Sequence, residues 1–89
     1  MQIDRNQIKP NQLITATYTD DYEDEDYVEN FYILHVITSK NNEVNVVLID
    51  GCEMMPYVLS IDELIDNLSS NENISFQDID YTQFLLMVS

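Results

Sequence analysis

Positive charge is almost absent from this sequence. Three cations, Arg5, Lys9 and Lys40, face seventeen Asp and Glu residues in a chain of 89, and the formal net charge is -14. Salt bridges can therefore neutralise only a small minority of the carboxylates. A surface of this sign repels nucleic acids and anionic membranes and attracts basic proteins. The composition disfavours direct binding of nucleic acid and indicates a basic protein partner.

Cysteine and long apolar runs are scarce as well. Cys52 is the only cysteine, so an intrachain disulfide, a Cys-based zinc site or a Cys-x-x-Cys redox pair cannot be assembled. No apolar run approaches the roughly 20 residues that span a bilayer, and residues 1–11 lack the apolar core of a signal peptide. We therefore expect a cytoplasmic protein with no membrane association and no cofactor.

Hydrophobic residues are nevertheless plentiful, at 45% of the chain. This share is too high for a disordered acidic tail, which lacks enough apolar surface to fold. A chain of this length can bury only one modest core. We therefore expect residues 1–89 to form a single domain.

Strand patterns dominate the first half of the chain. Residues 13–19 are rich in β-branched and aromatic side chains and predict a first strand. Residues 30–38 are apolar on both faces, as a central strand requires. A polar turn then leads into residues 44–50, which predict its hairpin partner. Gly51 follows at once, and we expect it to supply a positive φ where the chain bends.

The second half predicts one helix and shorter strands. Residues 57–59 predict a short strand, 74–76 a marginal one and 83–88 a last one, with a turn or a single helical turn over 77–81. A helix is predicted over 61–68, because a Ser-x-x-Glu capping box precedes apolar residues at helical spacing. The sequence thus predicts an α+β domain, with an antiparallel sheet of four or five strands, open or curled into a partial SH3-like barrel, and one short helix.

The densest charge lies in residues 20–29, between the first strand and the central hairpin. This run is predicted to be an exposed acidic insertion, because burying unpaired carboxylates is costly. Tyr22 and Tyr27 are interleaved with the acids and can serve as aromatic anchors at an interface. The seven carboxylates of the run are Asp20, Asp21, Glu23, Asp24, Glu25, Asp26 and Glu29.

Such a run can copy the charge pattern of a nucleic-acid backbone. Alternate residues of an extended chain lie about 6–7 Å apart on one face, so two charge rows comparable in spacing to phosphates are expected. A secondary acidic surface is expected on the outer face of the helix. It comprises Asp62, Glu63 and Asp66, extended by Glu72, Asp78 and Asp80. The competing interpretation is a solvated acidic loop that serves only solubility.

Catalysis and metal binding find little support in the residues present. His35, the only imidazole, lies mid-strand with no Ser or Cys near it in sequence, and Cys52 lacks a nearby cation that would stabilise a reactive thiolate. Residues 20–29 lack the central glycine and the alternating ligands of an EF-hand loop. We therefore predict that the chain is not an enzyme and holds no metal.

In its small size, extreme acidity and β-rich pattern, the whole chain resembles the phage-encoded inhibitors that act as DNA mimics, such as the uracil-DNA glycosylase inhibitor and several anti-CRISPR proteins. The resemblance rests on type rather than on a diagnostic motif. It implies a stoichiometric inhibitor that acts in the host cell cytoplasm. Such an inhibitor occupies the DNA-binding or PAM-reading cleft of a basic host protein, such as a CRISPR nuclease, a restriction enzyme or a repair enzyme.

A narrower likeness concerns strand order. Residues 13–16, 31–32 and 46–51, with the helix start at 60–64, look like the strands of a Tudor-type SH3-like barrel, a family that reads methylated Lys or Arg with an aromatic cage. The likeness implies a small interaction module that binds a basic peptide or protein, with Tyr18 and Tyr32 as cage residues. A third alternative is a component that works through the apolar face of residues 84–88, as a homodimer.

Overall fold

The computed structural model describes residues 3–20, 22, 25–71 and 73–88, and for residues 18–20, 25 and 26 it describes the backbone alone. The predicted strand over 13–19 is confirmed as β1 (Gln12–Asp20), and the central strand is the longer β2 (Glu25–Thr38). The hairpin partner is β3 (Val44–Asp50). Asn42, with φ 63°, takes the left-handed conformation in the turn between β2 and β3, as Asn tolerates well.

The remaining elements complete the sheet and add two helices. They are β4 (Pro56–Ser60), α1 (Ile61–Ser69), β5 (Asn73–Asp78) and α2 (Tyr81–Val88), and a 3-10 turn over Arg5–Gln7 precedes β1. All strand pairs are antiparallel, in the order β4-β3-β2-β1-β5. In the described part of the chain β4 and β5 are the two edges, so the sheet is open and the partial-barrel alternative is wrong.

One face of the sheet, here called the α1 face, is covered by α1. Ile14, Ile33 and Leu48 from the strands pack with Leu64 and Leu68 of the helix, and all five are buried. The helix begins where the sequence predicted, because the Ser60 hydroxyl accepts a hydrogen bond from the backbone N–H of Glu63 at 3.2 Å. This bond satisfies one of the donors that a helix N-terminus leaves open.

The opposite face, here called the α2 face, carries a second and smaller core. Leu13, Tyr32 and Ile49 from three adjacent strands pack against Ile79 and Phe84. The Phe84 ring stacks on Tyr32 with the ring centroids 5.0 Å apart. The sheet is therefore sandwiched between two helices, where the sequence had predicted only one.

The strand predicted over residues 83–88 is wrong, because these residues form most of α2. Asp80 and Gln83 make a reciprocal cap: the Gln83 N–H donates to Asp80 Oδ1 at 2.8 Å, and the Asp80 N–H donates to Gln83 Oε1 at 3.0 Å. Capping of this kind selects a helix at its first turn. The run of Leu85, Leu86 and Met87 that follows consists of good helix formers.

Gly51 serves close packing rather than a left-handed bend. No glycine has a positive φ, whereas Met54 in the same loop has φ 58°. A Cβ at Gly51 would lie 3.3 Å from the Asn30 carbonyl oxygen and 3.3 Å from Val88 Cγ1. The missing side chain thus lets the turn after β3 pack beside β2 and the end of α2, and the predicted positive φ is wrong.

Candidate functional site: an acidic hairpin

The acidic run belongs to a β-hairpin rather than to a loop inserted between strands. Asp20 is the last residue of β1 and pairs with Glu25, the first residue of β2, and the pairing continues through Thr17 opposite Val28. Neighbouring strands end before this point: β5 reaches only to Thr17, and β3 reaches only to Phe31. Residues 18–20 and 25–27 therefore form a two-stranded ribbon beyond the rest of the sheet. This segment, residues 18–29, is here called the acidic hairpin.

Four side chains of the hairpin have a described exposure. Tyr22, in the turn, is 99% exposed, Val28 and Glu29 are exposed, and Tyr27 is half-buried. Of the seven predicted partner-binding carboxylates, Glu29 is the one with a described side chain. Asp21, Glu23 and Asp24 lie outside the described residues, as do the side chains of Asp20, Glu25 and Asp26.

The strand register limits how closely the acids of β2 follow phosphate spacing. Glu25 and Glu29 are four residues apart, which is about 13 Å along a strand, and Tyr27 occupies the alternate position between them. A continuous row of carboxylates every 6–7 Å is therefore not formed along this part of β2. The acid density of the sequence is concentrated instead in residues 20–26.

The negative charges of three carboxylates act on the hydroxyl of Tyr57 near the base of the hairpin. Burial raises the pKa of Tyr57 above 10.0, and the negative charges of Asp50, Glu29 and Glu53 raise it further. Glu29 lies on the α1 face, because it pairs with the buried Ala16. Sequence reasoning did not single out Asp50 and Glu53, which lie far from Glu29 in the chain and approach it only because β3 pairs with β2.

Replacing Glu29 by glutamine should lower the pKa of Tyr57. Removing a nearby negative charge makes the tyrosinate easier to form, so the pKa moves down towards 10.0 while the contribution of burial remains. The measurement is an alkaline absorbance titration, taken as the difference between each protein and its Tyr57→Phe counterpart. Glu43→Gln, which removes an equal charge from the turn between β2 and β3, should leave the value unchanged. If the pKa of Tyr57 were the same in the Glu29→Gln and Glu43→Gln variants, the proposed effect of Glu29 on Tyr57 would be contradicted.

The predicted secondary surface on α1 is present in part. Glu63 and Asp66 are exposed. Asp62 is also exposed but is not a bare carboxylate, because Arg5 Nη2 contacts its two oxygens at 2.7 and 2.8 Å. Such an exposed pair adds about 0–1 kcal/mol to stability. The pair also neutralises the charge of Asp62 with Arg5, one of the three cations of the chain. Of the further acids, Asp78 and Asp80 are exposed and Glu72 lies outside the described residues.

The hairpin and the start of α1 lie at opposite ends of the sheet. Ser60, which caps α1, pairs with Asn45, and Asn45 pairs with Ile37. Along β2, Ile37 lies twelve residues from Glu25, which at about 3.3 Å per residue is about 40 Å. The longest dimension of the molecule is 45 Å. Glu29, Glu63 and Asp66 nevertheless share the α1 face, to which the N-terminal segment adds Arg5, paired with Asp62, and Lys9.

The cage proposed from the Tudor likeness cannot use Tyr32. This side chain is fully buried, and its hydroxyl lies 3.0 Å from Asn11 Oδ1 and 3.1 Å from the Ile79 carbonyl oxygen. Tyr18 has no described side chain. Within the described ranges, no group of three or more His, Cys, Asp or Glu is arranged to hold a metal ion. Neither described α-helix has the length and apolar character needed to cross a bilayer.

Comparison with known proteins adds no relative to this picture. No family model, no curated protein and no solved structure matches the chain.

Proposed function

We propose that this chain is an acidic binding protein that acts as a DNA mimic. Its acidic hairpin enters the basic groove of a nucleic-acid-binding protein, such as a nuclease or a repair enzyme, and excludes the nucleic acid. The observation that carries this proposal is the projection of the hairpin. A ribbon that extends beyond the neighbouring strands can reach into a cleft that the body of the sheet cannot enter.

Charge supports the proposal in sign and in amount. A protein groove that binds DNA displays Lys and Arg and gains most of its affinity by neutralising phosphates. This chain offers seventeen carboxylates against three cations, and Arg5 is already paired with Asp62. The exposed ring of Tyr22 adds flat apolar area at the hairpin turn. Aromatic side chains of this kind supply much of the binding energy at interfaces.

The length of the α1 face also suits a duplex-binding groove. About 40 Å separates the ends of the α1 face, which corresponds to about twelve base-pair steps of 3.4 Å. Because β2 does not space its carboxylates like phosphates, the mimicry we propose is one of field and shape. The hairpin supplies the local contact, and Glu63 and Asp66 extend the negative potential behind it.

The proposal is tested by competition and salt dependence. The chain is titrated against a panel of purified nucleases and repair enzymes, each with a fluorescent duplex bound. We expect displacement of the duplex from at least one enzyme, with an affinity that falls steeply as salt rises, because exposed charges are screened. A chain of similar size without net charge serves as the control. Affinity unchanged between low and high salt, or binding that leaves the duplex in place, would overturn the proposal.

A further inference from the structure

The α2 face stands out because few charged side chains lie on it. Among the described side chains of its strands, the titratable groups are His35 and the buried Tyr32, and no Asp, Glu, Lys or Arg is present. The helix α2 itself, from Tyr81 to Val88, also contains no Asp, Glu, Lys or Arg, and Asp80 caps its start. In a chain with seventeen carboxylates, such a face is unexpected for a surface that contacts water only. Depletion of charge is characteristic of the centre of protein interfaces.

Apolar side chains are exposed on this face in two places. On α2, Leu86 is 73% and Met87 58% exposed. On the sheet, Ile37 is 52% and Val58 61% exposed, and half-buried Val47 pairs with both His35 and Val58. The helix α2 covers the strands at Leu13, Tyr32 and Ile49. It does not cover the strand residues Ile37, Val47 and Val58, which are here called the β2–β4 patch.

The charge distribution indicates which partner fits. A basic protein gains little from the α2 face, because among the described side chains its one carboxylate, Asp80, lies at the edge where it caps α2. A second copy of this chain, by contrast, must avoid the repulsion between two molecules of net charge -14. The α2 face is the surface on which two copies can meet with their acidic α1 faces pointing away from each other.

The α2 face is also large enough to form a stable dimer. The molecule is 45 Å long, and five strands about 4.8 Å apart make a sheet about 20 Å wide. A stable interface buries about 800 Å² on each partner, which is less than the area of such a face. Apolar residues are exposed on both α2 and the strands. The helix α2 of each copy can therefore pack on the strands of its partner.

We propose that two copies of this chain form a two-fold dimer through their α2 faces. In this arrangement α2 of each copy packs on the β2–β4 patch of the other, so that Met87 of one protomer meets apolar strand residues of its partner. The interface is self-complementary, as two-fold symmetry requires. Both acidic hairpins remain on the outside, and the assembly carries two copies of the acidic surface, which allows bivalent binding.

The test is sedimentation equilibrium of the full chain at micromolar concentration, in low and in high salt. We expect a mass twice the 10.4 kDa of one chain. Added salt should tighten the dimer or leave it unchanged, because it screens repulsion between acidic protomers and strengthens apolar burial. This salt response is opposite in sign to that expected for binding of a basic partner, so the two proposals fail separately.

Two single substitutions place a charge at the proposed interface. Val58→Glu on β4 and Met87→Glu on α2 should each weaken the dimer by about tenfold or more. Asn67→Glu adds the same charge at an exposed position of α1 and should leave the mass close to that of the wild-type dimer. Circular dichroism and thermal melting establish that each variant is folded. A wild-type chain that stays monomeric in high salt, or folded Val58→Glu and Met87→Glu variants that dimerise like the Asn67→Glu control, would overturn the proposal.

Discussion

Replacing Phe84 by alanine is expected to lower the free energy of unfolding by about 3–5 kcal/mol, the usual cost of removing a buried phenylalanine. The side chain is fully buried in α2, and its ring lies 5.0 Å from the ring of Tyr32 and 6.3 Å from that of Tyr81. Truncation removes these contacts and leaves a cavity over the middle of the sheet. Urea denaturation followed by circular dichroism measures the change.

Met87→Ala is the matched control for this experiment. It truncates another large apolar residue of the same helix, but Met87 is 58% exposed, so the loss should stay below about 1 kcal/mol. Both measurements are made at one low protein concentration, because self-association would add to the apparent stability. Equal losses in the two variants would show that α2 does not pack on the sheet through Phe84.

Neutralising two acids of the hairpin should weaken partner binding far more than neutralising two acids elsewhere. For the double variant Asp24→Asn with Asp26→Asn, we expect about a tenfold loss of affinity or more, equivalent to about 1.4 kcal/mol. The reason is that carboxylates held against cations in a groove lose both Coulomb attraction and hydrogen bonds when they become amides. The measurement is displacement of labelled duplex from the partner enzyme.

The control for this comparison removes the same charge from α1. Glu63→Gln with Asp66→Asn changes the net charge by the same two units at exposed positions of α1, outside the hairpin. It should cost about threefold or less, since it weakens only the long-range field. Equal losses in the two double variants would mean that total charge matters and that the hairpin makes no special contact.

The strands were predictable from sequence because their signals were local and redundant. Residues 30–38 are largely apolar on both faces, and the middle of β2, at Tyr32 and Ile33, is indeed covered by α2 on one side and by α1 on the other. The start of α1 was equally readable, because a capping serine and apolar residues at helical spacing agree. Each of these elements is specified within about ten residues of sequence. Tertiary contacts therefore did not change the secondary structure that the local sequence favours.

The last helix shows where such reasoning fails. A run such as residues 83–88 satisfies a buried strand and a buried helix equally well, and its periodicity does not decide between them. The deciding signal was the Asp80-x-x-Gln83 cap, which resembles the box recognised before α1 but begins with Asp in place of Ser. With a helix there, Tyr32 becomes a core residue, and its use in an aromatic cage is lost.

The candidate site was predictable in composition but not in geometry. The sequence locates the acid density and its exposed tyrosine, yet the extension of β1 and β2 into a projecting ribbon depends on where β3 and β5 end. The combined effect of Glu29, Asp50 and Glu53 on the pKa of Tyr57 likewise depends on pairing between strands. Contacts of this kind are set by register, which one sequence does not reveal.

The projecting ribbon has a consequence for aggregation. Where β3 and β5 end, β1 and β2 continue without them, and a strand that extends past its neighbours presents backbone donors and acceptors to any other extended chain. The two Thr, three Tyr and one Val of residues 17–28 would otherwise favour stacking of ribbon on ribbon. The six carboxylates of the same segment make such stacking repulsive. The same acids that suit the hairpin to a basic groove thus act as gatekeepers that keep it from pairing with its own kind.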